Sequence, residues 1–191
     1  MMSLSGITEV CPGNVDRVLM RAVCELLCEV WPKPGRTPES RLAAILEEFE
    51  SYDGPQAQRP RALVLAEEGR AIAHAAVLPR EIDLAGRRQV VAGLARVCTA
   101  LDCRGRGLGE LIVRAAWEPV DRGDFVASLF QTTPKVRPFY ERLGAATVGN
   151  RVVNSLGADP VANPFWDGVV MRYPAAAEWP TGTIDLLGPG Y

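Results

Sequence analysis

The segment with the clearest chemical potential is a glycine-rich loop, Arg104-Gly105-Arg106-Gly107-Leu108-Gly109. An apolar stretch typical of a β-strand precedes it, and an amphipathic helix follows it. Helix N-termini present N–H groups without intrahelical partners and carry a partial positive charge, so they bind phosphates. Glycine lets the backbone approach the phosphate oxygens closely, and the two arginines add positive charge. The loop therefore predicts a binding site for a phosphate or pyrophosphate group.

Two common phosphate-binding motifs do not fit this loop in detail. It lacks the Gly-Lys-Ser/Thr sequence whose lysine and hydroxyl serve Mg-nucleotide chemistry. A dinucleotide fold needs Gly-x-Gly-x-x-Gly and an acidic residue at the end of the next strand. Here the spacing is Gly-x-Gly-x-Gly, and Asp124 comes at the start of the next predicted strand instead.

The elements that position the loop follow from the periodicity of apolar residues. It predicts a helix that begins after Asn14 and ends before Pro32, and a second helix capped by Thr37. Two hairpins follow, with turns at Glu67–Arg70 and Gly86–Arg87. Strands and helices then alternate, which implies parallel pairing through right-handed crossovers. Later helices are predicted at 107–117 and 136–143, and strands at 62–66, 71–78, 81–85, 89–99, 125–130, 145–149 and 168–173.

These elements predict one mixed α/β domain over residues 1–191, with a core at about 7–173 and a C-terminal tail at 174–191. The tail is rich in proline and glycine, which disfavours a helix. It also contains large apolar side chains, so we expect it to be packed rather than frayed. These side chains are Trp179, Ile184, Leu186, Leu187 and Tyr191.

The glycine-rich loop fits the pattern Arg/Gln-x-x-Gly-x-Gly/Ala at Arg104, Gly107 and Gly109. In this it resembles the acetyl-CoA-binding motif of the GCN5-related N-acetyltransferase (GNAT) superfamily. Downstream, the stretch 138–145 (Pro-Phe-Tyr-Glu-Arg-Leu-Gly-Ala) resembles the second signature of that superfamily, a tyrosine-bearing helix that a glycine ends before a strand. The resemblance covers roughly residues 7–173. It implies a central mixed sheet of about six to seven strands, splayed in the middle and flanked by about four helices.

The resemblance also implies an activity and a role for individual residues. The activity is acyl-CoA-dependent N-acyltransfer, with acetyl-CoA as the expected donor and direct attack by a primary amine in a ternary complex. The backbone of Val97, Cys98 and Thr99 is expected to pair with the pantetheine arm, and the amides of Arg104 to Gly109, including those of Gly105, Arg106 and Leu108, to hold the pyrophosphate. Tyr140 is the expected general acid for the departing thiolate. Thr133 stands where many relatives have an asparagine near the cofactor.

The sequence identifies the general base less directly. Residues 89–101 contain no carboxylate, so Glu81 is the first candidate, followed by Asp83 and His74. A covalent route through Cys98 or Cys103 would need a nearby base, and the chain has one histidine. An alternative function is a catalytically degenerate acyl-CoA-binding or scaffold domain. A metal site at Cys24 and Cys28 is not expected, because further metal-binding motifs are missing.

The C-terminal tail resembles that of rhizobial nodulation acyltransferases and, more distantly, that of aminoglycoside 2'-N-acetyltransferases. We hypothesise that Asp185 or the carboxylate of Tyr191 contributes to binding of a cationic acceptor. The acceptor is expected to be a small-molecule or protein amine, and a homodimer is one assembly that the resemblance allows.

Composition limits the other partners. The chain has 48% hydrophobic and 23% charged residues and a net charge of −2, which gives no reason to expect nucleic acid or an anionic membrane. It contains no apolar run of the roughly 20 residues that a membrane span needs. The N-terminal segment Met1–Gly6 lacks the features of a signal peptide, so we expect a cytoplasmic protein.

Overall fold

The computed structural model describes residues 6–191. Residues 1–5 lie outside the described part. The expectation that the chain has no targeting signal rests mostly on these residues. The chain forms two compact units, the first made of Met1–Leu78 and Leu94–Glu118 and the second of Pro79–Gly93 and Pro119–Tyr191. Among residues 6–191, no helix is long and apolar enough to cross a membrane.

The first unit begins with a strand that the sequence did not predict, β1 (Ile7–Val10), and continues with helices α1 (Arg17–Val30) and α2 (Pro38–Glu50). The cap of α1 is Asp16 rather than the predicted Asn14, because the Asp16 carboxylate accepts hydrogen bonds from the amides of the first turn. Helix α2 begins as predicted, with Thr37 as its cap and a proline in its first turn.

The strands of the first unit are antiparallel. Strand β2 (Arg61–Glu67) pairs with β1 on one side and with β3 (Arg70–Leu84) on the other. Strand β4 (Arg87–Thr99) follows β3 after a tight turn. The prediction divided β3 at Pro79, but the strand is continuous. Pairing with β2 ends at Val77, and proline is tolerated in a strand where it removes no ladder hydrogen bond.

After β4, a 3₁₀ turn at Leu101–Cys103 leads into helix α3 (Leu108–Asp121), which is four residues longer at its C-terminus than predicted. The start of α3 packs into the core of the first unit. That core is formed by the apolar faces of α1 and α2 and by alternating residues of the strands, among them Met20, Leu27, Phe49, Val64, Ile72 and Leu108. The position of the glycine-rich loop is therefore fixed on both sides by buried side chains.

The second unit contains β5 (Ser128–Thr132), α4 (Arg137–Arg142), β6 (Ala146–Thr147), β7 (Val152–Val153), β8 (Val169–Tyr173) and β9 (Ile184–Asp185). Strand β5 pairs in parallel with β4 over two residues, Ala92 and Gly93, and antiparallel with β8 along its length. Strand β6 pairs antiparallel with β8. The chain thus has the predicted mixed α/β fold, with four α-helices and a mixed sheet.

The C-terminal tail is part of the sheet of the second unit. Strand β9 pairs antiparallel with β3 and parallel with β7, two contacts that the sequence did not predict. Ile184 and Leu186 are fully buried in the core of this unit, and Trp179 and Tyr191 pack against it. Strand addition thus joins this part of the tail to the sheet.

Candidate functional site

The glycine-rich loop joins the 3₁₀ turn to the N-terminus of α3. Gly105 and Gly107 have φ angles of +81° and +78°, which lie in the left-handed region that favours glycine. A Cβ atom built at either position would have no heavy atom within 4 Å. The two glycines are therefore required by the backbone conformation, and the space beside them is open to a ligand.

The first turn of α3 supplies the donors that a phosphate group needs. The Leu111 amide donates to the Gly107 carbonyl at 3.2 Å, which starts the hydrogen-bond ladder of the helix. The amides of Leu108, Gly109 and Glu110 precede this bond and have no intrahelical acceptor. Together with the positive end of the helix dipole, they make the loop suitable for the pyrophosphate of CoA.

Carboxylates that the sequence analysis overlooked neutralise part of the charge near the loop. Arg106 forms an ion pair with Glu67, and Arg70 donates to Asp102 at 2.7 Å and 3.0 Å. These hydrogen bonds lower the pKa of Glu67 and lower that of Asp102 to about 2. Within residues 6–191, Arg104 has no ion-pair partner, so its exposed charge is uncompensated. The segment Glu67–Arg70 contains charged residues of both ion pairs, but its sequence alone predicts only a hairpin turn.

The C-terminal end of β4 contains the three residues predicted to contact pantetheine. Val97 and Thr99 are half-buried, and Cys98, which lies between them, is buried. Burial raises the pKa of the Cys98 thiol to about 12, so this thiol is protonated at neutral pH. Cys103 is also buried. A protonated, buried thiol such as that of Cys98 is a poor nucleophile, which disfavours a covalent route through Cys98.

His74 is a buried residue and not an accessible base. Its side chain is 1% exposed, and Nδ1 lies 3.0 Å from the backbone carbonyl of Arg96. Burial lowers the pKa of His74 to about 4, so the ring is neutral. An amine that enters from solvent cannot reach a ring in this position. His74 was the third candidate base, and its surroundings give it a structural role instead.

In the second unit, Tyr140 lies on α4. Its ring is buried against Phe130 and Phe139, with centroid distances of 4.7 Å and 5.0 Å. Burial raises the pKa of the Tyr140 hydroxyl, so the group holds its proton at neutral pH. The carbonyl of Thr133 accepts hydrogen bonds from the amides that begin α4, while the Thr133 residue is exposed.

Glu81 and Asp83 lie on β3 near the hairpin. The Glu81 carboxylate is exposed and accepts a hydrogen bond from Arg88 at 2.7 Å. Asp83 caps the hairpin turn, because its Oδ1 accepts a hydrogen bond from the Gly86 amide at 2.7 Å. Glu81 is the more exposed of the two residues.

The tail residues predicted to bind the acceptor have structural partners. Oδ1 of Asp185 accepts hydrogen bonds from the amides of Ser155 and Leu187, both at 3.0 Å. Burial raises the pKa of Asp185, but these hydrogen bonds outweigh that effect, and the pKa lies below its ordinary value. The Tyr191 hydroxyl donates to the Leu129 carbonyl, and the backbone oxygen of Tyr191 accepts from Gln131, each at 2.8 Å. Their role in acceptor binding stays a prediction.

No group of three or more potential metal ligands is present in the part of the chain that the structure describes. Cys24 is buried, and burial raises the pKa of its thiol to about 11. The thiol of Cys28 donates instead to the carbonyl of Arg36.

A family model described as "Acetyltransferase (GNAT) domain" matches residues 17–148. The GNAT-family N-acetyltransferase YhbS from Escherichia coli, solved in complex with CoA, is 16% identical, with a TM-score of 0.62 over 96% of this chain and 93% of that one. Glucosamine-6-phosphate N-acetyltransferase from Arabidopsis thaliana is 17% identical, with a TM-score of 0.59 over 79% and 99%. A GCN5-related N-acetyltransferase from Kribbella flavida is 22% identical, with a TM-score of 0.57 over 74% of this chain and 33% of that one. This chain therefore spans about a third of the Kribbella protein. At these identities the similarity to solved structures shows the fold alone. A comparison with curated protein sequences gave no significant match.

Proposed function

Because the chain belongs to the GNAT family of acetyltransferases, we propose that it transfers an acetyl group from acetyl-CoA to a primary amine. The observation that carries this proposal is the loop before α3, with positive φ angles at Gly105 and Gly107 and open space beside both glycines. When bound, acetyl-CoA supplies the acetyl group as a thioester that the amine attacks directly in a ternary complex.

In this proposal the first unit binds the donor. The amides of residues 104–109 hold the pyrophosphate, and Arg104 contributes its uncompensated charge. The backbone of Val97, Cys98 and Thr99 pairs with the pantetheine arm as an added strand would. This binding orients the donor and lowers the entropic part of the barrier. Thr133, which stands where many relatives have an asparagine, is the remaining residue proposed to contact the cofactor.

Tyr140 is the proposed general acid. Its hydroxyl retains a proton at neutral pH, because burial raises its pKa. It can therefore deliver the proton from its Oη atom to the departing thiolate. General-acid assistance of this kind contributes about 10² to 10⁴ in rate.

Glu81 is the proposed base. The amine must lose its proton before it attacks, and the Glu81 carboxylate is exposed on β3. Its partner Arg88 is itself exposed, with 67% of its side chain accessible, so the ion pair can exchange for one with an incoming ammonium group. The buried, protonated Cys98 supports direct transfer rather than an acyl-enzyme.

The proposal is tested by placing a carboxylate beside the loop. In Gly107→Asp, steric conflict and repulsion should weaken CoA binding at least tenfold in calorimetry. Gly35→Asp is the matched control, because Gly35 has a φ angle of +73° and no heavy atom within 4 Å of its Cβ position. Both variants therefore meet the same backbone strain, and only the first should lose affinity for CoA.

Turnover is measured separately, as release of free thiol from acetyl-CoA with a panel of primary amines. Normal CoA binding by Gly107→Asp would refute the assignment of the loop. CoA binding without turnover for any amine would favour the alternative function, a degenerate acyl-CoA-binding domain.

A further inference from the structure

An open cleft of about 440 Å³ lies in the second unit, where β3, β4 and the C-terminal tail contribute its walls. Its volume falls within the range of about 300–1,000 Å³ that small-molecule sites occupy. Two arginines, one glutamate and several apolar residues line it, among them Arg80, Glu81, Arg88, Leu156, Leu187 and Pro189. Asp185 and Tyr191, the acceptor-binding residues expected from the sequence, are not among its lining residues.

Arg80 is held in a defined position by the tail. Its Nη2 donates to the Pro189 carbonyl at 2.8 Å, and its Cζ atom lies 5.1 Å from the centroid of the Tyr191 ring. A Cβ atom at Gly188 would be 3.0 Å from Nη2, so the glycine allows the tail to approach the guanidinium. The group has five N–H donors, and the protein uses few of them here. A fixed guanidinium with free donors is preorganised to bind an anion.

The charge of Arg80 is not balanced by the protein. Among residues 6–191, no carboxylate lies within ion-pair distance of it, whereas Arg88 is paired with Glu81 at 2.7 Å. The lining of the cleft thus has one uncompensated positive charge. A carboxylate or phosphate group would satisfy it with two parallel, charge-assisted hydrogen bonds.

The other wall of the cleft is apolar. Leu156 is 73% exposed. Removing a leucine side chain from water is favourable, so a ligand that covers Leu156 would bind more tightly. Leu187 and Pro189 extend this apolar surface. A ligand with a hydrocarbon portion would cover Leu156 while its anionic group binds Arg80.

We infer that this cleft binds the acceptor, and that the acceptor is an amine that also carries a carboxylate or phosphate group and an apolar portion. Arg80 binds the anionic group, Glu81 receives the amine, and Leu156 contacts the apolar portion. This assignment rests on the proposed function, because it identifies the substrate class of the proposed reaction. The sequence predicted a cationic acceptor, and this inference adds an anionic group to it.

Binding is tested with two probes, 3-phenylpropanoate and 3-phenylpropanamide, which share a carbon skeleton and differ in the charge of the end group. The carboxylate should bind at least tenfold more tightly, because a charge-assisted pair is stronger than a neutral one by about 1.4 kcal/mol or more. Arg80→Gln, which retains an N–H donor for Pro189, should abolish this preference. Arg87→Gln is the control, because Arg87 is exposed on the same hairpin and is not a lining residue.

A second variant keeps the inference testable if Arg80→Gln does not fold. Leu156→Glu places a negative charge in the cleft at an exposed position. It should weaken binding of the carboxylate more than that of the amide, because both probes lose the apolar contact but only the carboxylate is repelled. Val161→Glu, at a position that is 61% exposed and outside the lining, should change neither. Equal binding of the two probes to the wild-type protein would overturn the inference, as would an undiminished preference in both Arg80→Gln and Leu156→Glu.

Turnover separates this inference from the proposed function. With L-phenylalanine and L-phenylalaninamide as acceptors, the amino acid should have at least a tenfold higher kcat/KM, and Arg80→Gln should remove the difference through KM. If both amines are acetylated equally and the binding probes show no preference, the cleft assignment fails and the acetyltransferase function stands. If the carboxylate probe binds with the predicted selectivity but no amine is acetylated, the anion site stands and the proposed function fails.

Discussion

The imidazole of His74 and the backbone carbonyl of Arg96 form a buried hydrogen bond, with Nδ1 3.0 Å from the oxygen. Arg96 has a φ angle of +54°, which is rare for a residue inside a strand and typical of a bulge. Its guanidinium is paired with Glu48 of α2 at 2.8 Å. His74 thus contacts the backbone of Arg96 and Glu48 binds its side chain. Arg96 directly precedes the proposed pantetheine-binding segment.

This arrangement predicts a pH dependence of stability. Burial lowers the pKa of His74 from 6.5 to about 4, so between these values the unfolded chain binds a proton that the folded protein does not. The contribution of His74 to stability is therefore fully present above about pH 6.5 and is lost as the pH falls towards 4. Between about pH 7.5 and 4.5 the loss should be about 2–3 kcal/mol.

The measurement is urea unfolding of the wild-type protein and of His74→Asn at both pH values. Asparagine can donate from a position close to that of Nδ1 but does not titrate. The variant should therefore lose about 2–3 kcal/mol less than the wild type on acidification. An equal loss in the two proteins would mean that His74 is not the neutral, buried donor described above.

Tyr140→Phe should lower kcat by about 10²-fold or more and leave the affinity for CoA unchanged, because the hydroxyl acts when the thiolate departs. Tyr173→Phe is the control, because it also removes a tyrosine hydroxyl in the same unit. The hydroxyl of Tyr173 donates to Asp121 at 2.8 Å. Steady-state kinetics and calorimetry distinguish the two effects. An unchanged kcat under conditions where chemistry limits the rate would remove Tyr140 from the role of acid.

The sequence predicted the elements whose signals are local. The two hairpins follow from short turn sequences, and their turns have positive φ at Glu68 and Gly69 and at Ala85 and Gly86. The start of α2 follows from Thr37 and its proline. For α1, two cap-forming residues lie two positions apart, and only the contact of Asp16 with the first turn decides between them.

Features that depend on distant residues could not be predicted. Strands β7 and β9 are two residues each, too short for a periodic pattern, and their pairing joins segments about 30 positions apart. The Arg80–Pro189 hydrogen bond spans 109 positions. The cleft therefore escaped the sequence analysis, whereas the loop 104–109, which is contiguous, did not. Glu67 was overlooked for the same reason, since its partner Arg106 lies 39 positions away.

Glu67→Gln should strengthen CoA binding. The substitution removes a negative charge near the loop and releases Arg106 for the pyrophosphate. Because the ion pair is about half exposed, the gain should be modest, about two- to fivefold in Kd. The gain should also shrink at high salt. Glu68→Gln is the control, because the adjacent Glu68 forms no ion pair with the loop. Weaker CoA binding by Glu67→Gln would mean that Glu67 instead holds Arg106 in its binding position.

Replacing Cys98 and Cys103 together by alanine should leave kcat within about threefold of the wild-type value, because direct transfer needs no protein nucleophile. The raised pKa of Cys98 argues in the same direction, since the thiolate is scarce at neutral pH. Mass spectrometry of the wild-type protein after mixing with acetyl-CoA should detect no acetylated cysteine. Detection of an acyl-enzyme in the wild type, with loss of both this species and turnover in the double variant, would establish a two-step route.

Removal of Pro189–Tyr191 should destabilise the protein. The deletion breaks the hydrogen bonds of Arg80 to Pro189, of Tyr191 to Leu129 and of Gln131 to Tyr191, and it exposes the partner of the Tyr191 ring. Loss of one large, partly buried side chain and of these bonds should cost about 3 kcal/mol, which lowers Tm by about 6–12 °C in a chain of this size.

Tyr191→Phe is the graded comparison, because it removes only the hydroxyl that donates to the Leu129 carbonyl. It should cost about 1 kcal/mol and lower Tm by about 2–4 °C. Differential scanning calorimetry gives Tm for both proteins, and acceptor KM is measured with L-phenylalanine well below either transition. The deletion should also raise this KM, because it leaves Arg80 without the partner that orients it. A raised acceptor KM with an unchanged Tm would contradict the structural role and assign the end of the tail to acceptor binding alone.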